Sequence, residues 1–299
     1  MSNNPNTKDG YPDDPSWESL FEMAGDYEGQ YEDQYENQYE DQYAGAGPET
    51  MQDYDPANFY EDSSQQETQY HTPEEALKVL FGYDSFRPGQ KSVIDSILSG
   101  RDAFAVMPTG AGKSVCYQIP AVLLPGITLV VSPLISLMQD QVKALNQAGV
   151  SAAYINSALS EKAFFETVDK ARQGRYKIIY VAPERLLTDG FLNLAREVQI
   201  SMVTVDEAHC ISQWGQDFRP SYLKIVDFVR QLPGHPILSA FTATATEVVK
   251  NDIARILELK NPNIVITGFD RKNLYYRVEH LTGKQKDTFI ANYIASHAN

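Results

Sequence analysis

The sequence predicts an α/β protein, a parallel sheet with helices on both faces, preceded by an acidic tail that has no fold of its own. Three observations predict it. Short apolar runs alternate with helix-length segments from residue 103 onward, the pattern of strand–helix units. The runs are apolar at almost every position instead of every second one, as in strands covered on both faces. Composition changes sharply near residue 70. Residues 1–70 hold 18 Asp and Glu against Lys8, a net of −17; residues 71–299 hold 22 acidic and 24 basic residues, a net of +2, and together these give the −15 of the chain.

The tail comes first. From Tyr27 to Tyr43 it repeats with period four, YEGQ, YEDQ, YENQ, YEDQ, then Tyr43, with no Val, Ile or Leu. Such a repeat cannot bury enough apolar surface to offset the entropy of ordering, so residues 1–70 are expected to be disordered. The tail reads as a solvating low-complexity segment; a protein partner, or mimicry of nucleic acid over a basic groove, is the functional alternative. The near-neutral body neither requires nor excludes a nucleic-acid partner.

Order is expected from residue 72. Thr72-Pro-Glu-Glu75 places a capping threonine, a proline at the first helical position and the glutamate of a capping box. Strands are expected over Ala103–Met107, Ile127–Val131, Ala152–Ile155, Ile178–Val181, Met202–Val205 and Ile237–Phe241. Between and after them, helices are expected over Val115–Leu124, Leu134–Ala148, Glu161–Gln173, pieces of 184–198, Tyr222–Leu232 and Val248–Leu257. Ligands of such sheets bind outside the carboxyl ends of the strands, so the chemistry should follow strands.

Three segments do follow strands. The first is Met107-Pro-Thr-Gly-Ala-Gly-Lys-Ser114, between a strand and a helix. Backbone amides of a Gly-rich loop at a helix N-terminus cradle phosphates, which marks a P-loop NTPase; Thr109, Gly110 and Gly112 form the loop. Lys113 would reach the β- and γ-phosphates of ATP, and Ser114 would hold Mg²⁺. Met107 stands where the strict pattern has glycine. The second is Asp206-Glu-Ala-His209. Asp206 at a strand end can bind Mg²⁺ and Glu207 can orient or deprotonate water, while His209 could couple nucleotide state to other elements. The bland alternative makes the two acids helix caps and His209 a loop residue. The third is Thr242-Ala-Thr244, two hydroxyls that could relay between the nucleotide and nucleic-acid sides of a site, or cap the next helix.

Cys116 and Cys210 are too few for a disulfide framework or a four-cysteine zinc site, so none is expected within this chain. MSNNPNTKDG has no basic and apolar start, and no apolar run reaches membrane length, so a cytoplasmic protein is expected, nucleoid-associated if bacterial.

Read together, FGYDSFRPGQ (81–90), MPTGAGKS (107–114), VVSPLISLMQDQ (130–141), YVAPERL (180–186), DEAH (206–209), ISQWGQDFRP (211–220) and FTATAT (241–246) resemble the RecQ DNA helicases of superfamily 2. The 211–220 segment is the most particular to that family and argues against an RNA helicase. The resemblance implies a first RecA-like ATP-binding domain over 71–268 and the start of a second over 269–299, with a strand over Leu274–His280 and a helix over about 284–296. It implies an ATP-dependent 3′–5′ DNA helicase of DNA repair and recombination, incomplete here and weakly active alone. A non-catalytic nucleotide- or DNA-binding regulatory fragment is the alternative. Tyr83 would stack on adenine with Arg87 in support, and Gln90 would bond the adenine edge. Gln213, Trp214, Phe218 and Arg219 would form an aromatic-rich loop that senses single-stranded or junction DNA, alongside backbone contacts from Ser132, Pro133 and Gln139. An arginine from a partner domain would complete hydrolysis.

Overall fold

The computed structural model describes residues 70–215, 217–268 and 277–297. Contacts divide the chain into two units, one ending at Thr267 and one spanning Gly268–Asn299. Helix α1 (Pro73–Phe81) begins with the capping box: Thr72 accepts from the Glu75 amide and the Glu75 carboxylate accepts from the Thr72 amide. Helix α2 (Gln90–Leu98) follows, then β1 (Ala103–Val106), α3 (Lys113–Leu123), β2 (Ile127–Val131) and α4 (Ile135–Gln147). Strand β3 (Ala152–Ile155), α5 (Glu161–Arg172), β4 (Ile178–Val181), α6 (Asp189–Glu197) and β5 (Ile200–Val205) continue the alternation. The unit closes with α7 (Lys224–Arg230), β6 (Ile237–Thr242), α8 (Glu247–Ile256) and β7 (Asn263–Ile266). The second unit contains α9 (Gly283–His297).

The strands form one seven-stranded sheet in the order β3-β4-β2-β5-β6-β1-β7, and each neighbouring pair is parallel. Alternate side chains of each strand enter two cores. Phe104 and Val106 of β1 pack with residues of α5–α8, while Ala103, Ala105 and Met107 pack with residues of α1–α4. The run of apolar residues in strands β1–β6 is therefore a two-sided requirement, as expected.

Four expectations change. Strand β7 was not expected: Asn263–Ile266 alternates partly buried and exposed positions, the mark of an edge strand instead of a two-sided one. Helix α3 starts two residues earlier than expected, because Gly112 ends the loop in the left-handed region and Lys113 is already helical. Tyr70, assigned to the tail by composition, is partly buried against the core that holds Ala76 and Leu77; an aromatic ring next to an apolar helix face gains by covering it. Residues 277–280 do not form the strand expected over 274–280, and no described segment pairs with them to supply ladder hydrogen bonds. Residues 274–276 and residues 1–69 lie outside the described residues.

Asp102, just before β1, ties the far end of this frame together. Its two carboxylate oxygens accept from the Leu238 amide at 2.9 Å and the Lys260 amide at 2.7 Å, holding the starts of β6 and the β7 connection beside β1.

Candidate nucleotide and nucleic-acid site

Strand order decides what shares an edge. Because β2, β5, β6 and β1 are adjacent, Ser132, Asp206, Thr242 and the 107–114 loop line up along the carboxyl edge of the sheet, one strand spacing of about 4.8 Å apart. Two bonds stitch this row: the Asp206 amide donates to the Val131 carbonyl at 2.9 Å and the Met107 amide to the Thr242 carbonyl at 3.0 Å.

The loop is braced from outside. Gly112 has φ 83°, a conformation that strains any residue with a Cβ, and a Cβ there would stand 2.5 Å from Gln90 Nε2 and push that side chain aside. Gln90 Nε2 donates to the Ala111 carbonyl at 3.2 Å and the Gly112 carbonyl at 3.0 Å, and Oε1 accepts from the Arg87 amide at 2.8 Å. Arg87 Nη1 donates to the Gly110 carbonyl. Both side chains thus fix loop carbonyls: Arg87 braces Gly110, and Gln90 braces Ala111 and Gly112. Gln90 keeps a lone pair on Oε1 but has committed both N–H groups, so two-point reading of a purine edge narrows to one point. Tyr83 is exposed, with an open face for stacking. Lys113 Nζ makes a long 3.4 Å contact with the Met107 carbonyl. Thr109 is exposed and Ser114 is partly buried at the start of α3.

The acids have opposite environments. Burial, then the neighbouring Glu207 charge, pushes Asp206 up to about 6. Glu207 is held below the usual carboxylate range, first by its bond to His209, with Lys113 adding to the effect. Glu207 has φ 47°, a left-handed conformation that costs a non-glycine residue about 1 kcal/mol and recurs at functional sites. It makes no side-chain cap to the following 3₁₀ turn, Ala208–Ile211, while Asp206 Oδ1 accepts from the Glu207 amide at 3.0 Å.

His209 joins the acid to the third segment. Its Nδ1 lies 3.3 Å from Glu207 Oε2 and 3.0 Å from Thr242 Oγ1. The Thr242 hydroxyl donates its one proton to the Thr244 carbonyl at 3.0 Å, so it accepts from histidine, and Nδ1 carries the proton. Thr242 is fully buried, and helix α8 is capped by Thr246 instead, so Thr242 is not a helix cap.

The 211–220 loop hangs from both sides. Ser212 Oγ donates to Asp252 Oδ2 of α8 at 2.7 Å and accepts from the Trp214 amide at 3.2 Å. A Cβ on Gly215 would collide with the His209 carbonyl. Arg219 binds Asp217 through Nε and Nη2, at 3.1 and 2.9 Å, and donates from Nη1 to the Pro133 carbonyl at 3.1 Å. Arg219 thus makes a salt bridge within its own loop. Trp214 is 69% exposed, unlike a core tryptophan, and Gln213 is exposed beside it. Phe218 is partly buried. Gln139 is exposed on α4, whereas Ser132 is buried with its hydroxyl unpaired.

The residues fit a polyphosphate and a hard cation. A glycine-shaped loop opens a helix, a lysine with a weak protein contact stands beside it, and a buried carboxylate with a raised pKa lies in the field of that lysine. Among the described residues no group of three or more His, Cys, Asp or Glu gathers; Mg²⁺ held by one or two protein oxygens, phosphates and water needs none.

A family model described as DEAD/DEAH box helicase matches residues 87–251. The ATP-dependent DNA helicase RecQ of Bacillus subtilis (strain 168) is 46% identical over 228 residues, which is 76% of this chain and 38% of that protein. The ATP-dependent DNA helicase RecQ of Haemophilus influenzae is 47% identical over 203 residues, 68% of this chain and 33% of that protein. The crystal structure of the DUF1998 helicase MrfA has a TM-score of 0.57 at 16% identity, covering 78% of this chain and 38% of its own; that likeness is one of fold. This chain therefore spans well under half the length of these curated relatives. The chain belongs to the DEAD/DEAH box helicase family, in its RecQ branch.

Proposed function

We propose that this chain is the ATP-binding part of a RecQ-type 3′–5′ DNA helicase acting in DNA repair and recombination, with ATP·Mg²⁺ as its fuel and single-stranded or junction DNA as its track. One observation carries the reading: strand order sets the 107–114 loop, Thr242 and Asp206 side by side, with His209 bonded to both Glu207 and Thr242. Loop amides and Lys113 bind the phosphates. Ser114 and Asp206 hold Mg²⁺, which when bound offsets charge on the phosphate oxygens. Glu207, ionised at neutral pH, orients the attacking water and accepts its proton. His209 transmits the position of Glu207 to Thr242 and so to Thr244. Trp214 and Phe218 offer faces for bases, while Arg219 ties their loop to Pro133 beside the expected backbone track.

The 299-residue chain is expected to bind ATP·Mg²⁺ and hydrolyse it slowly. ATP turnover should rise with single-stranded DNA and fall at least a hundredfold in Lys113→Ala, since a lysine aimed at the transferring phosphate supplies several kcal/mol. Turnover unchanged in Lys113→Ala, or no magnesium-dependent ATP affinity, would reject the reading.

A further inference from the structure

The peptide plane between the two proposed acids is held by side chains from both directions. Asp206 follows β5 and Glu207 precedes the Ala208–Ile211 turn, so this plane is where the chain leaves the sheet. Its carbonyl, that of Asp206, accepts from the Tyr222 hydroxyl at 3.0 Å. Its N–H, that of Glu207, donates to Asp206 Oδ1 at 3.0 Å. Tyr222 belongs to the short 3₁₀ turn Pro220–Leu223, beyond the aromatic-rich loop, and is fully buried in the core that holds Ile211 and Phe228. The reaction as described uses neither its ring nor its oxygen.

The plane needs a hold because its orientation is strained. Glu207 has φ 47° and ψ 46°, a conformation that a residue with a Cβ resists. Half a turn of the rigid plane would carry φ of Glu207 into the ordinary negative region and relieve that strain. It would also point the Glu207 N–H at the Tyr222 oxygen and leave the buried phenol proton without its acceptor, which is unfavourable. The phenol therefore opposes the flip. It is itself anchored by a closed circuit of bonds. The Cys210 amide donates to the Glu207 carbonyl at 2.9 Å, the Arg219 amide to the Cys210 carbonyl at 2.8 Å, and the Tyr222 amide to the Arg219 carbonyl at 2.9 Å. The Tyr222 hydroxyl then returns to the Asp206 carbonyl and completes the ring. Within that ring Glu207 Oε2 stands 3.3 Å from His209 Nδ1.

We propose that Tyr222 is a positioning residue for Glu207: its hydroxyl locks the Asp206–Glu207 peptide in the left-handed orientation that aims the Glu207 carboxylate at the attacking water. The inference rests on the proposed function, because it needs Glu207 to act on that water. Asp206 is held separately, its amide donating to the Val131 carbonyl at 2.9 Å within the sheet edge. Loss of the phenol oxygen therefore slows the chemical step and spares the binding of nucleotide and metal.

The test separates turnover from binding in the full 299-residue chain. Tyr222→Phe keeps the ring in the core and removes one oxygen. ATP turnover with single-stranded DNA gives kcat and KM, and calorimetry gives ADP affinity with Mg²⁺, for the wild type and the variant. The kcat is expected to fall about tenfold, the worth of one buried hydrogen bond, while KM and ADP affinity stay within about twofold. An unaltered kcat in Tyr222→Phe, beside a measurable wild type, overturns the inference. So does a loss of kcat matched by an equal loss of ADP affinity, the signature of general loosening. A wild type with neither turnover nor magnesium-dependent ADP affinity overturns the proposed function instead. If Tyr222→Phe does not fold, or the wild type turns over too slowly to compare, hydrogen exchange at the wild-type Glu207 amide carries the test. A plane held on both sides is expected to protect that amide as well as the Asp206 amide is protected, and exchange at the rate of an open peptide rejects the inference.

Discussion

Asp206 and Glu207 are neighbours in the chain and titrate in opposite directions. Burial raises Asp206 to about 6, whereas the bond to His209 lowers Glu207. The consequence for stability has a definite sign. An Asp206 carboxyl at about 6 in the folded protein against 3.8 as the ordinary value means that the native state holds this proton more tightly. Its contribution to stability is complete below about pH 4 and is lost as pH rises through about 6, a span worth roughly 2–3 kcal/mol. Nucleotide-free Asp206→Asn, unfolded in urea with a chelator present, should be more stable than the wild type at pH 7–8 and nearly equal to it at pH 4. A mutant less stable at pH 8 would mean that the carboxylate is not desolvated. Such a site stores unfavourable charge until a cation arrives, which is how a binding site differs from a structural ion pair. The buried thiols behave otherwise: Cys116 and Cys210 are each pushed up to about 12, chiefly by burial, and are inert packing groups.

At the scale of elements, the loop after the Ala208–Ile211 turn is held by single bonds to its neighbours. Ser212 is tied to Asp252 of α8, and Arg219 to Pro133 after β2. Asp252 also pairs with Arg255 at 3.0 Å, which keeps its carboxylate in place. Removing it with Asp252→Ala should leave the sheet intact and loosen the loop. Hydrogen exchange at the Trp214 and Gly215 amides should speed up ten- to a hundredfold, as expected from losing a charge-assisted bond of about 1.5–3 kcal/mol. Exchange confined to wild-type rates would show that Gly215 packing alone holds the loop. The strands themselves were legible in the residues because each is buried on two faces and so apolar throughout. Strand β7 was not, because an edge strand buries one side weakly, and Asn263-Ile-Val-Ile after Pro262 gives a short, mixed signal.

At the scale of the whole molecule, charge is segregated along the chain. Deleting residues 1–70 changes the net charge from −15 to +2, since those residues carry −17. If the acidic segment competes for the surface that meets DNA, its removal should tighten single-stranded DNA binding roughly three- to tenfold at low salt. The difference should fade at high salt, and the thermal midpoint should not move. Equal affinities at low salt would leave the segment to another partner. Helix α9 belongs to a separate unit with exposed Ile290, Tyr293 and Ile294, in a part of the chain where the resemblance implies the start of a second domain.

The sequence by itself determined the fold class, the unit that opens with the Thr72 capping box, and the loops at strand ends where chemistry would gather, because these depend on local spacing and on burial repeated in every strand. It named Lys113, Asp206 and Glu207 through residue type and position after a strand. Only the tertiary structure decided what those loops touch. The order β2-β5-β6-β1 brings Asp206 between residues 74 positions earlier and 36 later, Ser132 and Thr242, a neighbourhood no local pattern encodes. It also turned Gln90 and Arg87 onto loop carbonyls and set Tyr117 of one helix against Tyr180 of a distant strand. Spacing predicts which element a side chain stands on; the partner of a buried hydrogen bond depends on which elements pack together, and that is settled when the two cores close on the sheet.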